Sequence, residues 1–162
     1  MIVVLMGVCG CGKTTVGKAL AADLGCRFLD ADDFHPPANV AKMASGEPLT
    51  DDDRWPWLDR IATELRQILA RGEHAVLACS ALKETYRARL KRAGDVRIVY
   101  LKGDYATIEA RLALRRHEYM PASLLPSQFA ALEEPTDAFV VDIREAVAAQ
   151  VAHIREAFAL AS

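Results

Sequence analysis

Several features are absent from this chain of 162 residues, and each absence narrows what it does. No apolar stretch approaches the ~18 residues that a membrane helix needs. The opening run Ile2–Met6 has no basic flank before it and leads straight into glycines. A signal peptide is therefore not expected, and the first residues are read as part of the fold. No charge sign dominates: 20 Lys+Arg against 22 Asp+Glu leave a net charge of −2. That balance argues against a strongly basic nucleic-acid module and an acidic disordered tail. There are four cysteines, Cys9, Cys11, Cys26 and Cys79, with no C-x-x-C pair. Neither a zinc site nor a disulfide framework is expected, and the thiols are read as reduced and cytoplasmic. No repeat, low-complexity tract or Pro/Gly/Ser-rich linker divides the chain. One domain spanning 1–162 is expected, long enough to bury a core unaided.

What is present is an alternation. Apolar runs at Ile2–Met6, Phe28-Leu29, Ala75–Cys79, Val96–Leu101 and Ala138–Val141 have the length and composition of strands covered on both faces. Between them lie amphipathic helical patterns. Val16, Leu20 and Leu24 form one; Trp57, Leu58, Ile61, Leu65, Ile68 and Leu69 form a longer one, with Asp51–Asp53 placed to cap it and Gly72 to end it. Ile108 with Leu112, and Val147, Val151, Ile154 and Phe158, mark two more. Strands alternating with helices imply right-handed crossovers and an α/β fold with a parallel sheet and helices on both faces.

Gly7-Val8-Cys9-Gly10-Cys11-Gly12-Lys13-Thr14 matches G-x-x-x-x-G-K-[ST], placed between an apolar strand and an amphipathic helix as that motif requires. Glycines let successive backbone N–H groups converge on an anion, and the helix N-terminus adds its positive end. Lys13 is positioned for the β/γ-phosphates and Thr14 for Mg²⁺, with Thr15 next along the helix. The segment from Gly7 to Thr15 is thus the expected ATP site. Cys9 and Cys11 hold variable positions of the loop. Either small side chains simply fit there, or the helix end lowers a thiol pKa so that oxidation blocks the phosphate site.

The rest of the chain bears on the fate of the γ-phosphate. A guanine-nucleotide switch carries D-x-x-G and N-K-x-D; no glycine here has Asp three residues before it, and Asn39, the sole asparagine, precedes Val40. A motor ATPase places an acidic residue at the end of a second apolar strand, where this chain has Cys79-Ser80. A kinase of small molecules fits better. Asp30 and Asp32, two apart in an extended segment, point the same way and are candidates for the metal and the acceptor hydroxyl; solvated or capping carboxylates are the alternative. Arg111 and Arg115 share a helix face before a stretch with two prolines, 118–126, read as a loop. They are candidates for a lid that stabilises charge on the transferring phosphoryl group, or else form an ordinary solvated basic face.

These motifs, with Phe28-Leu29-Asp30-Ala31-Asp32, His35-Pro36, Lys42-Met43, Ser45-Gly46-Glu47-Pro48-Leu49, Asp51-Asp52-Asp53-Arg54, Pro56-Trp57-Leu58, Cys79-Ser80-Ala81-Leu82-Lys83, Tyr86-Arg87, Ser127-Gln128-Phe129 and Glu134-Pro135, resemble the bacterial gluconokinase family from Ile2 to about Ile143. The resemblance implies a three-layer P-loop kinase fold like that of nucleoside monophosphate kinases. Its parts would be a five-stranded parallel sheet, an acceptor region over about 30–60 and a lid over about 115–127. It implies ATP- and Mg²⁺-dependent phosphorylation of D-gluconate at its 6-hydroxyl in a cytoplasmic homodimer. Lys13, Asp32, Arg111 and Arg115 would then be catalytic, with Asp32 orienting the acceptor hydroxyl and Asp30 nearer the metal, directly or through water. Arg54 and Arg87 are candidates for the acid end, with Lys83 adding positive charge. His35 is a candidate for a sugar hydroxyl or, equally, for a cap ahead of Pro36-Pro37. In the lid, His117 sits one place earlier than the family pattern and Glu118 takes its position, which puts a role for His117 in doubt. Shikimate or nucleotide kinase, on the same scaffold, and a non-catalytic ATP sensor are the rival readings.

Overall fold

The computed structural model describes residues 1–115 and 124–160. Five strands form one parallel sheet: β1 (Ile2–Met6), β2 (Arg27–Asp30), β3 (Ala75–Ala78), β4 (Val96–Lys102) and β5 (Phe139–Asp142), in the order β2-β3-β1-β4-β5. The register pairs Val3 with Val76 on one side of β1 and Val4 with Ile98 on the other. Leu29 pairs with Leu77, and Tyr100 with Val140, farther out. Every residue of the central β1 is buried, which is why its sequence is a continuous apolar run rather than an alternating one.

Among the described residues seven helices cover the sheet: α1 (Lys13–Leu24), α2 (Pro37–Ala44), α3 (Asp51–Ala70), α4 (Glu84–Lys91), α5 (Tyr105–Leu114), α6 (Leu125–Ala131) and α7 (Val147–Ala157). Strand alternation divides the core in two. Ile2, Val4 and Met6 pack with Leu58, Ile61, Leu65 and Ile68 of α3 and Leu90 of α4. Val3 and Leu5 pack with Val16 and Leu20 of α1, Ile108 of α5, Leu125 of α6, and Val151 and Ile154 of α7.

The structure departs from the sequence reading in three places. The cap of α3 is Thr50, not the aspartates after it: Thr50 Oγ1 accepts from the Asp53 N–H at 3.2 Å, and Asp53 accepts from the Thr50 N–H at 2.9 Å. The short helices α2 and α4 lacked a long enough apolar stripe to be read. The stretch taken as a loop gives way at Leu125 to α6, with Pro126 in its first turn, where a missing N–H costs nothing. Between Arg115 and α6, residues 116–123, with His117, Glu118 and most of the expected lid, lie outside the described residues.

The α3 cap carries a pH signature. Asp53 is held at about 2, first by Lys42 and then by the Thr50 N–H. Its folded value lies below the ordinary 3.8, so its contribution to stability is complete above about pH 4 and disappears as the pH falls toward 2. Asp53→Asn is expected to lower the melting temperature at pH 7, with the difference from wild type closing in acid. Melting curves at pH 7, 4 and 2.5 check this.

Candidate active site

In an open parallel sheet, ligands bind beyond the carboxyl ends of the strands where the chain changes direction. Here that crevice lies beyond β1, between β3 and β4, and the loop Gly7–Gly12 fills its floor. Gly7 has φ +149°, and a Cβ there would meet Cys11 Sγ at 2.6 Å and the Leu101 carbonyl at 2.9 Å, so only glycine passes between them. Gly12, at φ +98°, turns the chain into α1. No side chain caps α1 and its first turn holds no acidic residue, so its first N–H groups are left for an anion from outside. Lys13 Nζ donates to the carbonyls of Gly7 (2.9 Å) and Val8 (3.0 Å), spanning the loop and holding its curve. Thr14 and Thr15 are exposed on the first turn.

The structure brings Asp30 and Asp32 to the end of β2, beside this loop. Asp30 Oδ1 accepts from the Asp32 N–H at 3.0 Å and caps a 3₁₀ turn, Ala31–Phe34. The capping alternative thus holds for one oxygen of Asp30, and its other oxygen is not used in the cap. Asp32 remains open, with 85% of its side chain accessible. Its carboxyl is raised above the usual range, first by the partly desolvating walls of the cleft and then by the Asp30 charge, while Lys13 opposes the rise. The hydroxyl of Thr14 and the carboxylate oxygens of Asp30 and Asp32 are hard oxygen donors of the kind that a divalent cation such as Mg²⁺ selects, so the residues fit such an ion.

His35 lies behind Asp32, its ring stacked on Trp57 at 4.4 Å. The buried Asn39 amide donates to the Asp53 carbonyl at 2.9 Å and directs its other hydrogen at His35 Nδ1, 3.3 Å away. That assigns Nδ1 as acceptor and puts the proton on Nε2, which faces Asp32 Oδ1 at 4.0 Å. Burial, then Arg54, pushes the imidazole pKa down, in keeping with a neutral ring. His35 is thus a fixed N–H donor pointing into the cleft. Asn39 fixes it; as a lone asparagine on a short helix it carries no spacing signal in the sequence.

Asp51, at the start of α3, gathers the cations. It accepts from Tyr86 Oη and from Lys83 Nζ (3.2 Å), with Arg54 Nη1 at 3.9 Å, and these donors lower its pKa. Arg54 also donates to the Leu49 carbonyl at 2.8 Å and lies over the Tyr86 ring. Arg54 and Lys83 are brought together around Tyr86 and around Asp51, which the sequence offers only as a cap of α3.

Arg87 is not with them, and this corrects the sequence expectation. Its side chain is 1% exposed and every guanidinium hydrogen is engaged: by the carbonyls of Ala81, Leu82 and Glu133 and by the Glu84 carboxylate. No donor is left for a substrate, and the residue clamps the loop 79–83 onto the segment after α6. Arg87→Met would leave those three carbonyls without their buried donor. A loss of about 3–5 kcal/mol in unfolding free energy is expected. Chemical denaturation checks it; an unchanged stability with a raised acceptor KM would return Arg87 to the pocket.

Arg111 and Arg115 stand on the nucleotide side. With Cys11, Gly12, Thr15 and Glu145 they line a cleft of about 410 Å³ beside the start of α1, and Arg111 is steadied by a bond to the Ile143 carbonyl. For the two thiols the geometry favours the reading that small side chains simply fit the loop. Cys9 and Cys11 are buried, and desolvation pushes the Cys9 pKa up, away from a reactive thiolate.

The chain matches the family model described as shikimate kinase over residues 9–155. A gluconokinase from Gluconobacter oxydans (strain 621H) is 52% identical over 136 residues, covering 83% of this chain and 76% of the relative. The chain belongs to the gluconokinase family. A thermosensitive gluconokinase from Escherichia coli (strain K12) is 42% identical over 159 residues, 95% of this chain and 85% of that one. Among solved structures, an unliganded sugar kinase from Janibacter sp. HTCC2649 superposes with a TM-score of 0.91 at 40% identity, covering 99% of this chain and 95% of that one. The fold is that of P-loop kinases, which use ATP together with a divalent metal.

Proposed function

We propose that this protein is a gluconokinase that transfers the γ-phosphoryl group of ATP to the 6-hydroxyl of D-gluconate, releasing ADP. The observation that carries the reading is an uncapped phosphate loop whose Lys13 acts on the open carboxylate of Asp32, with His35 beside Asp32 and with Arg54, whose charge reaches His35, joined to Lys83 through Asp51. Gluconate has hydroxyls at one end and a carboxylate at the other, and this arrangement offers a proton acceptor and a neutral N–H donor to the first and two cations to the second. Membership of the gluconokinase family supports the same substrate over shikimate or a nucleotide.

In this mechanism Asp32 orients the acceptor hydroxyl and takes its proton as the oxygen attacks phosphorus in line, and His35 Nε2–H holds a neighbouring hydroxyl. Lys13 and the N–H groups at the start of α1 hold the phosphates, while Arg111 and Arg115 stabilise charge on the transferring group. Thr14, with Asp30 directly or through water, would hold Mg²⁺, which would supply charge neutralisation on the phosphates when bound. The kinase is read as one domain over 1–162, with an acceptor region over about 30–60 and a lid over about 115–127. It is read as a homodimer in the cytoplasm, on the strength of the resemblance. No helix among the described residues is long and apolar enough to cross a membrane.

Phosphorus NMR of a reaction with ATP tests this. A new phosphomonoester coupled to the C6 protons of gluconate, forming with ADP one for one, is expected. Inorganic phosphate as the only new species would contradict it.

A further inference from the structure

The phosphate loop is braced by more than its own residues. Inside the loop, Lys13 holds the Gly7 and Val8 carbonyls, and the Cys11 N–H bonds to the Val8 carbonyl at 3.3 Å. The Gly7 N–H bonds to the Ser80 carbonyl at 3.2 Å. The Cys9 N–H takes its acceptor from a distant element: Oε1 of Gln128, on α6, at 3.2 Å and 119 positions along the chain. Cys9 is itself buried, so without Gln128 this N–H has no ready substitute acceptor in water.

The helix that presents Gln128 is itself anchored. Leu125 is fully buried, and Phe129 packs on Tyr105 of α5, the helix that carries Arg111, with ring centres 5.3 Å apart. Just past α6, the Glu133 N–H donates to the Leu82 carbonyl at 2.8 Å, and the Glu133 carbonyl accepts from the buried Arg87 at 2.8 Å. One short segment thus touches the nucleotide loop through Gln128 and the Lys83 loop through Glu133.

We propose that Gln128 is a positioning residue for ATP: its Oε1 holds the Cys9 limb of the phosphate loop in the shape that receives the triphosphate. It touches neither ATP nor acceptor in this account and acts through the backbone of Cys9. The inference rests on the ATP-binding half of the function proposed above and not on the identity of the acceptor.

Gln128→Met keeps the length of the side chain and removes the acceptor; Gln128→Ala removes both. Titration of each purified protein with Mg·ATP in the absence of any acceptor gives Kd directly, and steady-state kinetics with gluconate give KM and kcat. Loss of one neutral hydrogen bond predicts a rise in Kd for ATP of about three- to tenfold in both variants. The gluconate KM and the kcat at saturating ATP are expected to stay within about twofold, because no group that meets the reacting atoms is altered. A Gln128→Met protein that binds ATP as wild type does overturns the proposal, because packing alone would then account for the residue. A fall in kcat and a rise in both KM values together with a lower melting temperature overturns it too, as a general structural defect. If wild type binds ATP and ignores gluconate, the acceptor assignment fails while the Kd comparison still decides the role of Gln128.

Discussion

Asp32→Asn is expected to lower kcat by about 10²- to 10⁴-fold, the range that a positioned proton acceptor contributes, and to leave the affinity for ATP nearly unchanged. Asn keeps the size and one carbonyl oxygen, so the hydroxyl can still be met but its proton has nowhere to go. Asp32 stands open with its carboxyl raised above the usual range, whereas Asp30 is committed through one oxygen to the 3₁₀ turn. The same shift fixes a sign for stability. A folded-state pKa above the ordinary 3.8 means that the ionised group opposes folding at neutral pH, and the penalty fades as the pH falls through the raised pKa toward 3.8. Asp32→Asn should therefore melt slightly higher than wild type at pH 7 while losing turnover, with the difference vanishing in acid. Paired melting curves and kinetics check both halves. A protein that merely sensed ATP would keep its response after this change, and retained turnover would remove Asp32 from the mechanism.

Lys13→Met is expected to lower kcat by at least about 10²- to 10³-fold, the cost of removing one donor aimed at developing charge. Two losses coincide there. The ammonium no longer reaches the phosphates, and the carbonyls of Gly7 and Val8 lose the donor that spans the loop. Lys13→Arg is not expected to rescue, because a planar guanidinium cannot bridge the two carbonyls as a compact ammonium does and still reach forward. Single-turnover kinetics at saturating ATP separate the loss of chemistry from the loss of binding.

The parts of this fold that were legible in the sequence are those dictated by local patterns. The five apolar runs became the five strands, most plainly β1 and β3, which are buried throughout and so demand continuous apolar sequence, and the spacing of Trp57, Ile61, Leu65 and Ile68 became α3. The phosphate loop was legible residue by residue, since each glycine answers a backbone requirement that no other residue meets. Arg87 was misplaced because sequence shows that an arginine follows Tyr86 but not that three carbonyls from separate segments converge on it. The same holds for Gln128 and Cys9, whose bond closes across 119 positions, and for Asn39, whose two bonds fix the proton on His35. Roles that depend on which donors are already occupied are set by tertiary packing, and no spacing rule encodes them.

The most direct test of the central claim is an ADP-release assay with Mg·ATP and, in parallel, gluconate, shikimate, AMP, CMP or no acceptor. Turnover is expected to depend on gluconate and to stay near the acceptor-free background with the other three. Strong turnover with shikimate or a nucleotide, and none with gluconate, would contradict it.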